Sequence, residues 1–182
     1  MSRIRVHDLE SAPPQALPHL EQYLKTSPTG RILNLHGAMA HAPIVLEMYA
    51  RMRSTVEEFG ELDGKAQWAA MLAVAAVDQS DYSGTLYAFL GRRAGLSETQ
   101  IRNISTGRDC GDESIEALVR VAREAASKYG RVSQQTWFAA LHAGWSEEQL
   151  GALFAHLALA HFLDYFVNYS EVESDLLQPA NS

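Results

Sequence analysis

The feature that most constrains this chain is an eight-residue cassette that occurs twice. Ala94-Gly95-Leu96-Ser97-Glu98-Thr99-Gln100-Ile101 returns as Ala143-Gly144-Trp145-Ser146-Glu147-Glu148-Gln149-Leu150, 49 positions later. Each copy holds a glycine able to take the left-handed conformation that ends a helix, because it has no Cβ to clash. Each then offers Ser-x-x-Gln, a capping box in which the two side chains satisfy backbone N–H groups left orphaned at the next helix start. Leu96 and Trp145, just ahead of the serines, supply apolar staples. One cassette dictates a helix–turn–helix hairpin. Two at a fixed offset point to a duplicated hairpin.

The remaining text is helical as well. Pro13, Pro14 and Pro18 open a short helix through Leu20 and Leu24, and Asn34 to Ala40 forms a further turn or two. From Pro43, the residues Ile44, Val45, Met48, Tyr49, Met52 and Val56 keep the 3.6-residue period until Phe59-Gly60. Asp63 caps Lys65 to Val77, whose alanines cover several faces and so predict a buried, closely packed helix. Further helices are expected at Asp81 to Arg93, Ser97 to Ser105, Asp112 to Tyr129, Ser133 to His142 and Ser146 to about Asn168. No alternating strand pattern of useful length occurs, so the expected class is all-α. The 182 residues read as a single domain, 1–182, with N-terminal helices over 1–62, a core helix pair and hairpin over 63–107, and a second helical half over 112–170.

A net charge of −7 argues against a nucleic-acid surface or an anionic membrane face. The longest uncharged run, Gln149 to Leu163, is 15 residues, short of the ~20 that span a bilayer. No apolar leader follows Met1, and Cys110 is the only cysteine, so no intrachain disulfide can form. The expected setting is cytoplasmic.

The segment Ser80-Asp81-Tyr82-Ser83-Gly84-Thr85-Leu86-Tyr87, lying between an alanine-rich helix and one that ends at Arg92-Arg93-Ala94-Gly95, resembles the core of the alkylhydroperoxidase D (AhpD)-like, or carboxymuconolactone decarboxylase, family, in its peroxidase-related branch. The redox branch of that family carries Cys-x-x-Cys-x-x-x-His here, with a glutamate twelve residues ahead. Laid on this chain, the cysteines fall on Ser80 and Ser83, the histidine on Tyr87 and the glutamate on Trp68. The resemblance implies an AhpD-like helical fold with an internally repeated hairpin, a homo-oligomer, and a peroxidase or decarboxylase ancestry. It also implies a degenerate site. A dithiol ionises, attacks an oxidant and is resolved as a disulfide, which two serines cannot do. A tryptophan and an ordinary tyrosine do not replace a proton relay at neutral pH.

Ser80, Ser83 and Tyr87 recur at i, i+3 and i+7, which places two hydroxyls and a phenol on one helix face, fit to hold a polar ligand, an ordered water or simply backbone carbonyls. Asp81 reads as a solvent-facing first-turn carboxylate. A second candidate stripe is His161, Asp164, Tyr165 and Asn168 within the apolar run of the last helix. There His161 can act as base with Asp164 orienting it, or the stripe can form a subunit interface, or pack. His36 and His41, like His156 and His161, are five apart, hence about 140° apart around a helix, and do not converge on a metal. Cys110, flanked by Asp109, Asp112 and Glu113, reads as an inert loop thiol.

The expectation is therefore an AhpD-like protein without the thiol peroxidase motif, binding a small organic ligand or running a non-redox reaction near Trp68, Ser80, Ser83, Tyr87, His161 and Asp164. No cofactor, metal, nucleic acid or membrane enters this reading. Two alternatives stay open: a family-type enzyme working through other residues such as His161 or Cys110, and a non-catalytic partner of an intact homologue.

Overall fold

The computed structural model describes residues 2–27 and 30–176. Among them run nine α-helices and no strand: α1 (Leu17–Thr26), α2 (Asn34–Ala40), α3 (Pro43–Phe59), α4 (Gly64–Val77), α5 (Asp81–Arg93), α6 (Glu98–Ser105), α7 (Glu113–Ser127), α8 (Gln134–His142) and α9 (Glu147–Ser170), with a single 3-10 turn at Pro14–Ala16. Their contacts divide into two compact units, Met1–Thr55 with Phe166–Ser182, and Val56–Tyr165.

The all-α expectation holds, and most helix bounds fall where caps and glycines put them. Gly95 and Gly144 both sit at φ +99°, and the Leu96 and Trp145 N–H groups reach back to Gly91 and Ala140 O. Both capping boxes close. Gln100 N–H donates to Ser97 Oγ at 3.2 Å while Gln100 Oε1 accepts from Ser97 N–H at 3.0 Å. The same pair of bonds joins Ser146 and Gln149 at 3.1 and 3.0 Å. Asp63, Asp112 and Ser133 cap α4, α7 and α8 with their side chains. Two ends differ from expectation. α7 stops at Ser127, because Tyr129 and Gly130 turn left-handed at φ 55° and 84°, and α9 runs on to Ser170.

In the unit Val56–Tyr165, α4 is the centre, packed by α5, α6 and α7. Ala66, Ala69, Ala70, Ala73 and Ala75 are all buried, and their small size lets neighbouring backbones approach from several sides. α7 adds Leu118, Val119 and Ala122 to this core and packs on α8. Trp145 Nε1 donates to Ser114 O at 2.8 Å, tying the second cassette to the start of α7.

In the other unit, residues near the N-terminus dock on α2. His7 N–H donates to Gly37 O at 3.0 Å, and a Cβ at Gly37 would stand 2.5 Å from His7 O and 2.7 Å from Val6 Cγ1. Only glycine admits that approach. His36 is stacked on Tyr23 with ring centroids 3.9 Å apart. Its two ring nitrogens have no hydrogen-bond partner, and burial lowers its pKa to about 3, so it is a neutral core imidazole. His41 meets His7, with Nδ1 and Nε2 3.0 Å apart, a contact that spacing within one helix does not foretell.

α9 is 24 residues long and contains an 18-residue window of mean hydropathy 1.5, so by length and composition alone it is apolar enough to cross a bilayer. Half of that window is buried within the protein, and the apolar run is interrupted by His156, His161 and the fully buried Asp164, as suits a helix packed inside a protein. α9 reads as a core helix.

Candidate functional site

The candidate residues gather around the corner between α4 and α5. Asp78 ends α4, and Ser80 precedes the first residue of α5. Between them Gln79 takes a left-handed conformation at φ 53°, and Ser80 N–H returns to Ala75 O at 3.0 Å. This is a Schellman-type stop built on a residue with a Cβ, which stores strain at the corner. The chain can then turn sharply enough for Asp78, Ser80 and Ser83 to converge.

Ser80 occupies the cap position of α5, yet its side chain makes no capping bond. Its hydroxyl points inward instead, 3% exposed as a residue, with no hydrogen-bond partner. Ser83 is fully buried and its hydroxyl is equally unpartnered. Tyr87, one turn further, is also buried, and its ring lies 6.1 Å from that of half-buried Trp68 at an interplanar angle of 25°. Asp81 faces solvent in the first turn, as its position implied.

α9 supplies the opposite side. Asp164 is completely buried, and neither carboxyl oxygen has a partner at hydrogen-bond distance and angle. The Ser83 and Ser80 hydroxyls and the Asp78 carboxyl nevertheless lie near enough to act on its charge. Burial dominates, Asp78 adds to it, the serines oppose it, and the pKa of Asp164 rises to about 8. At neutral pH it is a carboxylic acid, both donor and acceptor. His161 does not pair with Asp164. Its Nδ1 meets Asp78 Oδ2 at 2.5 Å, with the imidazole partly exposed and the carboxylate nearly buried. Sequence neighbours at i and i+3 thus part company: one points at the helix-end aspartate, the other at the serines. Asp78 is the residue that sequence reasoning missed. Its position two residues ahead of Ser80 is a weak signal; its partner lies 83 positions away.

The arrangement contains an Asp–His pair whose carboxylate fixes the Nδ1 side of the ring and leaves Nε2 available as base or acid. Beside it stand a buried neutral acid and two hydroxyls without partners. None of these groups stores electrons. The one thiol is elsewhere: Cys110 is buried, and burial and the neighbouring Glu116 and Asp112 raise its pKa. Asp109, Cys110 and Glu116 bring an oxygen, a sulfur and an oxygen within 4.8 Å of one another. Glu116, however, already accepts from Cys110 N–H at 3.0 Å and from Arg120 Nε at 2.9 Å, so the cluster is a closed set of structural bonds. His156 is a buried histidine whose pKa falls to about 4 through desolvation alone.

No protein-family model matches the sequence, and no curated protein matches it either. Solved structures do. A peroxidase-related protein of Ralstonia eutropha JMP134, described as an alkylhydroperoxidase AhpD core, superposes with a TM-score of 0.82 at 14% identity, covering 96% of this chain and 92% of the other. The fold is AhpD-like. A peroxidase-related protein from Silicibacter sp. TM1040 aligns at TM-score 0.77 and 10% identity, over 94% and 91% of the two chains. The debrominase Bmp8 aligns at 0.73 and 14% identity, over 89% and 87%. At these identities the AhpD-like likeness is one of architecture, and site chemistry rests on this chain's own residues.

Proposed function

We propose that this chain is a non-redox member of the AhpD-like fold that takes a small polar organic molecule against Ser80, Ser83 and Asp164, with the Asp78–His161 pair beside it as proton donor and acceptor. The observation that carries this reading is the set of four buried, unpartnered atoms: both Asp164 carboxyl oxygens and the two serine hydroxyls. Each such group costs about 1–3 kcal/mol when left unpaired, so a cluster of them is retained where a guest completes it. A cysteine-to-alanine variant of Bmp8 is known in complex with 2,3,4-tribromopyrrole, which supports the capacity of this architecture to hold a small organic ligand. The serines stand, in this reading, where a dithiol stands in redox relatives.

Two assays test it. A screen of small polar fragments by ligand-observed NMR should yield binders that weaken in Ser83→Ala. A hydroperoxide-consumption assay with a dithiol reductant should give no turnover above that of Cys110→Ala. Dithiol-driven turnover lost on removing Cys110 would return the chemistry to the thiol and end this reading. The exposed Phe154 and Tyr165 on α9 support a homo-oligomer, in which Phe154→Ser should lower the mass measured by light scattering.

A further inference from the structure

We infer that the guest of this site is a small primary ammonium ion, held by the Asp164 carboxylate and the Ser80 and Ser83 hydroxyl oxygens. The inference rests on the ligand-site reading above and adds the chemical class.

Charge complementarity singles out this class. Asp78 has a basic partner, the His161 imidazole at 2.5 Å. Asp164 has none: the groups that bear on it are the Ser83 and Ser80 hydroxyls from α5 and the Asp78 carboxyl from the end of α4, while His161, one turn back on its own helix, is turned to Asp78. Two acids thus share one base. An anionic guest would add a negative charge beside a carboxylate with nothing to compensate it. A neutral guest would fill hydrogen bonds and leave that imbalance in place. An ammonium corrects it, because it carries N–H donors and a positive charge to four oxygens that can accept: the two of the Asp164 carboxylate and the two serine hydroxyls. Empty, the site avoids an unpaired buried charge by keeping the proton on Asp164, whose pKa is raised to about 8.

Binding then balances as an exchange. The protonated Asp164 and an alkylammonium combine to give the carboxylate–ammonium pair and one proton released to solvent. Calorimetry on the full chain with methyl-, ethyl- and propylammonium chloride, against ethanol and acetamide, in phosphate and in HEPES, reads that proton directly. The expected result is close to one proton released per ammonium bound at about pH 6.5, with apparent affinity rising nearly tenfold per pH unit up to about pH 8 and levelling above it. Asp164→Asn should lower ammonium affinity at least about tenfold. Ser83→Ala should weaken binding while the proton release persists. Ethanol or acetamide binding as well as the ammonium ions, or ammonium binding without proton release, would overturn the assignment and leave the ligand site standing. Absence of binding by either class would remove both.

Discussion

Asp164→Asn should stabilise this protein, although the residue is completely buried and sits on a core helix. The folded-state pKa of Asp164 is raised to about 8, above the ordinary carboxyl value it has in the unfolded chain. A group raised in this way contributes its stability below the unfolded pKa, and that contribution is lost as pH climbs toward the folded pKa. At pH 7 the unfolded chain has surrendered the proton and the folded one has kept it. Roughly three pH units at about 1.4 kcal/mol each make a penalty near 4 kcal/mol. Asparagine has the same shape and no proton to lose. Its amide still needs partners in the cluster, and imperfect pairing returns about 1–2 kcal/mol. The net gain at pH 7 is then about 2–3 kcal/mol, or roughly 5–10 °C in Tm for a chain of this size. Paired thermal melts of both proteins at pH 7 and pH 4 measure it, since near pH 4 the wild-type penalty has almost gone. A variant that melts at or below wild type at pH 7, with the same offset at pH 4, would refute the reasoning and make Asp164 a structural residue.

Other perturbations test other parts. Gly37→Ala places a Cβ 2.5 Å from His7 O and 2.7 Å from Val6 Cγ1, so it should cost about 1–3 kcal/mol and expose residues 2–12 to limited proteolysis. His36 and His156 are lowered to about 3 and about 4 by burial, so below about pH 6.5 only the unfolded chain takes up their protons. Each should remove about 2 kcal/mol of stability by pH 5, and His36→Phe should flatten the denaturation midpoint against pH by one such contribution. Trp145→Phe removes the donor to Ser114 O and should lower stability by about 1 kcal/mol in urea unfolding. Gln79→Gly relieves a left-handed residue and should raise stability by about 0.5–1 kcal/mol in the same measurement.

What the sequence made legible was local. Caps and turns act over three to five residues, so Asp63, Ser97, Asp112, Ser133 and Ser146 set helix starts that the structure reproduces. The contacts that make a site act over tens of residues. The partner of His161 is Asp78, not the Asp164 beside it on the helix, because 60° of rotation around α9 is enough to aim the two side chains at different neighbours. Ser80 carries the residue type of a cap and does not cap, since the buried acid of α9 lies on its other side. His7 and His41, 34 positions apart, meet through a glycine approach that no periodicity announces.

The alanine face of α4 has a consequence for the corner that follows it. Alanine has no side-chain rotamers to lose on burial, so this helix is immobilised at almost no side-chain entropic cost. Asp78 and the strained Gln79 thereby follow directly on a closely packed, buried helix, and a carboxylate anchored there presents its bound imidazole in one orientation before any visitor arrives.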